Sequence, residues 1–174
     1  MDMTKLVVIV NGQGGVGKDT LCDYFCKFYN GLSISSITPI KERARLIGWK
    51  GEKTDKDRKL LSDLKIILDE YEDLSMTYLR DEFEKFSESS FNVLFVMIRE
   101  PDDIDKFKEY VKSEGERVCT LLVRRSLVNR KFGNMADDNV EAYAYDYIFD
   151  NDNAIEISHN DFITMMKVMT DEVH

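Results

Sequence analysis

Apolar positions along the chain alternate between continuous runs and helical spacing. Residues 5–11 carry the β-branched run Leu6-Val7-Val8-Ile9-Val10, which predicts a buried parallel strand. Residues 19–30 place Leu21, Cys22, Phe25, Cys26, Phe28 and Tyr29 on one broad helical face. A second strand is expected at 33–37. Pro39 then opens a short helix reaching Trp49, with Thr38 as its cap. Residues 48–57 are polar and read as a loop. From 57 to 71, Leu60, Leu61, Leu64, Ile67, Leu68 and Tyr71 share a helical face. Met76, Leu79, Phe83 and Phe86 continue the pattern in a second helix, so the pair predicts a helical hairpin.

A third strand is expected at 91–98, followed by a helix opened by Pro101 with Ile104, Phe107 and Val111 facing inward. A strand at 118–123 leads into a charged stretch, 124–139, broken by Gly133 and expected to be a mobile connection. Strands are expected at 145–149 and, more briefly, at 154–157. Ser158 with Asp161 resembles a capping box for a last helix that buries Phe162, Met166 and Met169. Strands alternating with helices predict an α/β domain with a mainly parallel five-stranded sheet covered on both faces. Ligands of such sheets bind beyond the carboxyl ends of the strands, where Gly12, Arg99, Arg124 and Asn151 are expected to gather.

At 174 residues the chain suits one domain, 1–174, with a core that needs no staples. Its 24 basic and 33 acidic residues leave a net charge of −9, which argues against general binding to nucleic acid or anionic membrane. Cys22, Cys26 and Cys119 form no disulfide framework and are expected to stay reduced. No apolar run approaches the roughly 20 residues of a membrane span. The N-terminal run is too short for a signal-peptide core, so a cytoplasmic location is expected. Glycine is scarce, with nine residues, yet Gly12, Gly14, Gly15 and Gly17 crowd together.

That crowding falls between the first strand and the first helix, in Gly12-Gln13-Gly14-Gly15-Val16-Gly17-Lys18-Asp19. The spacing is that of a phosphate-binding loop, the Walker A motif. Backbone N–H groups must wrap a dense anion, and side chains would obstruct them. The following helix points its positive end at the same anion, and Lys18 adds a mobile cation. The residue after the lysine is usually Ser or Thr, whose hydroxyl holds Mg²⁺. Here Asp19 stands there, followed by Thr20. Asp19 is read as a Mg²⁺ ligand, direct or through water, as a helix cap, or as both. Thr20 is placed to donate to a more internal phosphate.

Gly17-Lys18-Asp19-Thr20 resembles the loop of nucleoside monophosphate kinase-like P-loop kinases, in their G-K-D branch. That branch holds phage-type deoxynucleoside monophosphate kinases and animal phosphomevalonate kinases. Pro39-Ile40-Lys41-Glu42 is similar to its P-[IL]-K-[DE] segment, and Arg99 falls where the branch has D-x-R. Asp146-Tyr147-Ile148-Phe149-Asp150-Asn151 resembles its last strand, seen also in dephospho-coenzyme A kinases. The resemblance implies a three-layer fold with a helical acceptor-binding insertion at about 53–89 and a short lid at about 125–141. It implies ATP, Mg²⁺ and a small phosphorylated acceptor, in a monomer or homodimer. Lys18, Arg99 and Arg130 would be catalytic. Lys41, Arg45 and Arg99 would hold the acceptor. Residues 12–20, Arg125, Arg130 and Asn151 would hold the nucleotide, with Asn151 to Asn153 bordering its base and Arg124 in the lid. Met97 departs from the pattern, because the branch has a carboxylate there; Glu100 is the candidate substitute, and with Asp19 a candidate metal ligand.

The leading expectation is a phosphotransferase that moves the γ-phosphoryl group of ATP to a (deoxy)nucleoside monophosphate. A kinase of a non-nucleotide phosphorylated metabolite, and a nucleotide-binding protein without turnover, remain open alternatives. The chain lacks N-K-x-D, T-K-x-D and D-x-x-G segments, which argues against a Ras-like GTPase. Tyr71 and Tyr78 of the hairpin are read as core residues or, less simply, as base-stacking ones.

Overall fold

In a computed structural model, residues 5–126 and 139–171 are described. The chain runs β1 (Leu6–Asn11), α1 (Lys18–Phe28), β2 (Gly31–Ser35), α2 (Thr38–Leu46), α3 (Asp55–Glu72), α4 (Leu74–Glu88), β3 (Val93–Met97), α5 (Pro101–Ser113) and β4 (Arg117–Arg124). A 3-10 turn at Val140–Ala142, β5 (Tyr147–Asp150) and α6 (Ile155–Asp171) follow. The five strands form one all-parallel sheet in the order β2-β3-β1-β4-β5.

Strand β1 lies at the centre and is buried along its whole length, which is why it carries no polar residue before Asn11. Its side chains alternate between the two faces. Val8 and Val10 pack with Leu21, Phe25, Phe162 and Met166 of α1 and α6. Val7 and Ile9 pack with Phe83, Phe86, Ile104 and Phe107 of α4 and α5. The layers thus fix the carboxyl end of β1, where the glycine-rich loop begins.

Several local expectations are corrected. Residues 154–157 form no strand: the Ser158 N–H donates to the Ala154 carbonyl at 2.9 Å, and α6 begins at Ile155. Ile155 and Ile157 are 63% and 54% exposed, so their β-branched character reflects no sheet partner. Ser158 is consequently buried inside the helix and does not cap it. Thr38 is already helical, and the preceding Ile37 offers no capping side chain. Instead, a capping box appears at the start of α3, between Thr54 and Asp57.

The largest correction concerns α3. Its inward face centres on Lys65, whereas Ile67 and Tyr71 are 60% and 84% exposed. Helix α3 packs mainly against α2 and α4, and Lys65 reaches past them to α5. A lysine faces inward because Asp69 and Asp103 lie 2.7 and 2.8 Å from its Nζ, with Glu100 at 3.6 Å.

Candidate active site

Asn11 ends β1 and sets the loop's entry. Its Oδ1 accepts the Gly12 N–H at 2.8 Å. Its Nδ2 donates to the Arg99 carbonyl at 3.0 Å and to the Tyr145 hydroxyl at 2.8 Å. The Tyr145 hydroxyl in turn donates to the Val140 carbonyl at 2.6 Å. One buried amide therefore ties together the loop, the end of β3 and the approach to β5. No feature of the motif announced this role for Asn11 or Tyr145.

Gly12 passes so close to β4 that a Cβ there would stand 2.5 Å from the Val123 carbonyl oxygen. Gly17 has φ +88°, and a Cβ would meet Asn151 Nδ2 at 2.6 Å. That Nδ2 donates to the Val16 carbonyl at 2.8 Å, so Asn151 braces the loop from the end of β5. Gly17 is also the residue preceding α1, with no side-chain cap. Asp19 therefore does not cap the helix; it is exposed in the first turn, where its charge complements the helix dipole. Lys18 is 6% exposed, with its Nζ 3.5 Å from the Gln13 carbonyl. The loop's remaining residues are Gln13, Gly14, Gly15, Val16 and, at the helix start, Thr20.

Beside Gly17 and Asn151 a cleft of about 250 Å³ opens, lined also by Thr20, Arg125, Asn153 and His159. The predicted nucleotide residues Thr20, Arg125 and Asn151 thus share one cavity. Arg124 points elsewhere, pairing with both carboxylate oxygens of Asp150 at 2.8 and 3.1 Å. Arg130 lies outside the described residues, as does 127–138 of the expected lid.

On the acceptor side Lys41 of α2 is partly buried, and that desolvation pushes its ammonium below the ordinary lysine range. The nearby charge of Asp19 opposes the shift, while Lys53, Arg99 and Arg45 reinforce it. The charges of Arg45 and Arg99, the other two residues expected to hold an acceptor, thus both bear on Lys41, as does Asp19 in the first turn of α1. Lys53 joins them; it had been read as part of a polar loop, and its spacing carried no signal. A cluster of like charges costs stability unless an anion answers it.

Glu100 sits differently from its expected role. Its Oε2 faces Lys65 at 3.6 Å. Burial opposes the Lys65 charge, but Glu100, Asp103 and Asp69 together hold its ammonium above the usual range. Those carboxylates already share a cation. Among the described residues no group of three His, Cys, Asp or Glu side chains is arranged to hold a metal by itself. A nucleotide-borne Mg²⁺ needs only one or two protein oxygens, with phosphate and water completing its shell. The exposed Asp19 and Thr20, at the helix start beside the loop, fit that requirement. The backbone cradle and the adjoining cleft fit a nucleoside triphosphate. Among the described residues no helix is long and apolar enough to cross a membrane.

No family model matches the sequence, and no curated protein matches it. Solved structures do resemble the fold. A sugar kinase from Janibacter sp. HTCC2649 aligns over 96% of each chain with a TM-score of 0.54 and 14% identity. The tunicamycin resistance protein of Deinococcus radiodurans aligns over 93% of this chain and 95% of its own, at 0.58 and 13%. Shikimate kinase from Bacteroides thetaiotaomicron aligns over 95% and 98%, at 0.51 and 16%. The chain thus shares with these neighbours an α/β fold, built here on a five-stranded parallel sheet.

Proposed function

We propose that the protein transfers the γ-phosphoryl group of ATP to a small phosphorylated acceptor, a (deoxy)nucleoside monophosphate. The observation that carries this reading is that the charges of Arg45, Lys53 and Arg99 all bear on the partly buried Lys41, together with Asp19 next to Lys18 in the first turn of α1. A chain of net charge −9 concentrates like charges where an anionic acceptor would face the triphosphate.

In this reading the loop amides and Lys18 hold the β- and γ-phosphates, and Asn151 keeps the loop open around them. Asp19 and Thr20 would hold Mg²⁺, which would neutralise negative charge on the triphosphate. Lys41, Arg45 and Arg99 grip the acceptor phosphate and aim one of its oxygens at the γ-phosphorus. That oxygen forms the new P–O bond as the bond from the γ-phosphorus to the β–γ bridging oxygen breaks, leaving ADP. The attacking phosphate is already largely ionised at neutral pH, because its second pKa is about 6. No general base is then required. Met97, 7% exposed and packed in the core, stands where similar kinases carry a carboxylate, and this chemistry tolerates it.

A nucleotide-binding protein without turnover is the second reading, favoured only by Met97. The two part on one experiment: ADP release is measured with ATP and a panel of nucleoside monophosphates and sugar phosphates, in the wild type and Lys41→Gln. Acceptor-dependent release that Lys41→Gln weakens supports the kinase. Tight ATP binding with no acceptor dependence supports the second reading.

A further inference from the structure

The chain has one tryptophan, Trp49. It stands in the turn after α2 and is held at both ends. Its backbone N–H donates to the Ala44 carbonyl at 3.0 Å, and its Nε1 donates to the Glu52 carbonyl at 3.2 Å. The indole is only partly buried, and among the described residues no aromatic ring packs against it. The Arg45 guanidinium lies 5.5 Å from the ring centroid, and the Asp57 carboxylate also interacts with the indole side chain. Arg45 and Lys53, four residues to either side of Trp49, both act on Lys41. A fixed indole is therefore built into the rim of the cationic cluster.

A tryptophan that served only packing would be enclosed. This one shows a surface, and what covers it is an exposed, flexible side chain that itself belongs to the cluster. A guanidinium over an exposed ring is a weak contact, and stacking of a nucleobase on an aromatic ring is the stronger one. We infer that Trp49 is a specificity-determining residue: its indole stacks on the base of the acceptor, while Arg45 leaves the ring for the acceptor phosphate. The inference rests on the proposed function and adds what distinguishes a nucleotide acceptor from a sugar phosphate.

Because Trp49 is the only tryptophan, its fluorescence reports the event directly. The protein is first saturated with a non-hydrolysable ATP analogue, which sets the baseline. Nucleoside monophosphates, and ribose 5-phosphate as the base-free probe, are then titrated. The inference expects strong saturable quenching by a nucleotide, and from ribose 5-phosphate only the smaller change caused by Arg45 leaving the ring. It also expects Trp49→Ala to raise KM for the nucleotide about 10-fold, with KM for ATP little changed, and Trp49→Phe to recover most of the loss. Melting temperatures of both variants establish that they fold. Equal quenching by ribose 5-phosphate, or an unchanged nucleotide KM in Trp49→Ala, overturns the inference. Turnover of a sugar phosphate without a fluorescence response keeps the kinase reading and discards the role of Trp49. Base-dependent quenching without turnover does the reverse.

Discussion

Asn11 donates from Nδ2 to the Tyr145 hydroxyl at 2.8 Å, and this bond joins the phosphate loop to the segment leading into β5. Burial pushes the Tyr145 pKa up to about 12, with the Asn11 bond pulling the other way, so the hydroxyl keeps its proton for the Val140 carbonyl at neutral pH. Tyr145→Phe removes both bonds. The expected cost is about 1–2 kcal/mol in chemical denaturation, with a larger fractional loss in kcat than in ATP affinity. Unchanged stability and turnover would show the bond to be incidental.

Asn151 is the second brace of the loop. Asn151→Ala leaves the Val16 carbonyl without its donor and enlarges the cleft beside Gly17. KM for ATP is expected to rise about 10-fold, the scale of one to two kcal/mol, with a smaller change in KM for the acceptor. Steady-state kinetics varying each substrate separately checks the split.

Lys41 couples function against stability. Desolvation lowers its folded pKa below the ordinary 10.5, so the unfolded chain binds its proton more tightly. The sign follows: Lys41 opposes folding at neutral pH, and that opposition is relieved as pH rises through its folded value toward 10.5. Lys41→Gln is expected to keep or slightly raise the melting temperature at pH 7 while raising acceptor KM about 10- to 100-fold. A marked fall in melting temperature without ligand would contradict this.

Lys65 has the opposite sign. Lys65→Met leaves Asp69, Asp103 and Glu100 facing one another, an expected loss of about 3 kcal/mol. The folded pKa is raised, so the lysine's contribution is fully present below the unfolded value of 10.5 and fades only as pH rises beyond it. Denaturation of wild type and variant from pH 7 to higher pH is expected to give a constant gap that narrows only past that value.

How far the sequence reveals this molecule depends on the range of the forces involved. The Leu6–Asn11 run, the glycine spacing and the helical period of Ile104, Phe107 and Val111 are local patterns, and each forms as expected. The isoleucines at 155 and 157 misled because β-branched residues favour strands only when a neighbour pairs with them. Tyr71 and Ile67 misled because helical spacing identifies a face without saying that anything covers it. At the site, the loop was proposed from spacing, and Lys41, Arg45 and Arg99 from resemblance. Asn11, Tyr145 and Lys53 were not, since their partners lie far along the chain or in another loop.

The central claim is that the loop and the cationic cluster work together on two substrates. The most direct measurement is ADP release from ATP, with and without saturating nucleoside monophosphate, in the wild type and in Lys18→Ala of matched melting temperature. The account predicts release that requires the acceptor and falls at least about 100-fold in Lys18→Ala, since removal of one group aimed at the developing charge typically costs that much. Release that is independent of every acceptor, or that survives in Lys18→Ala, would contradict it.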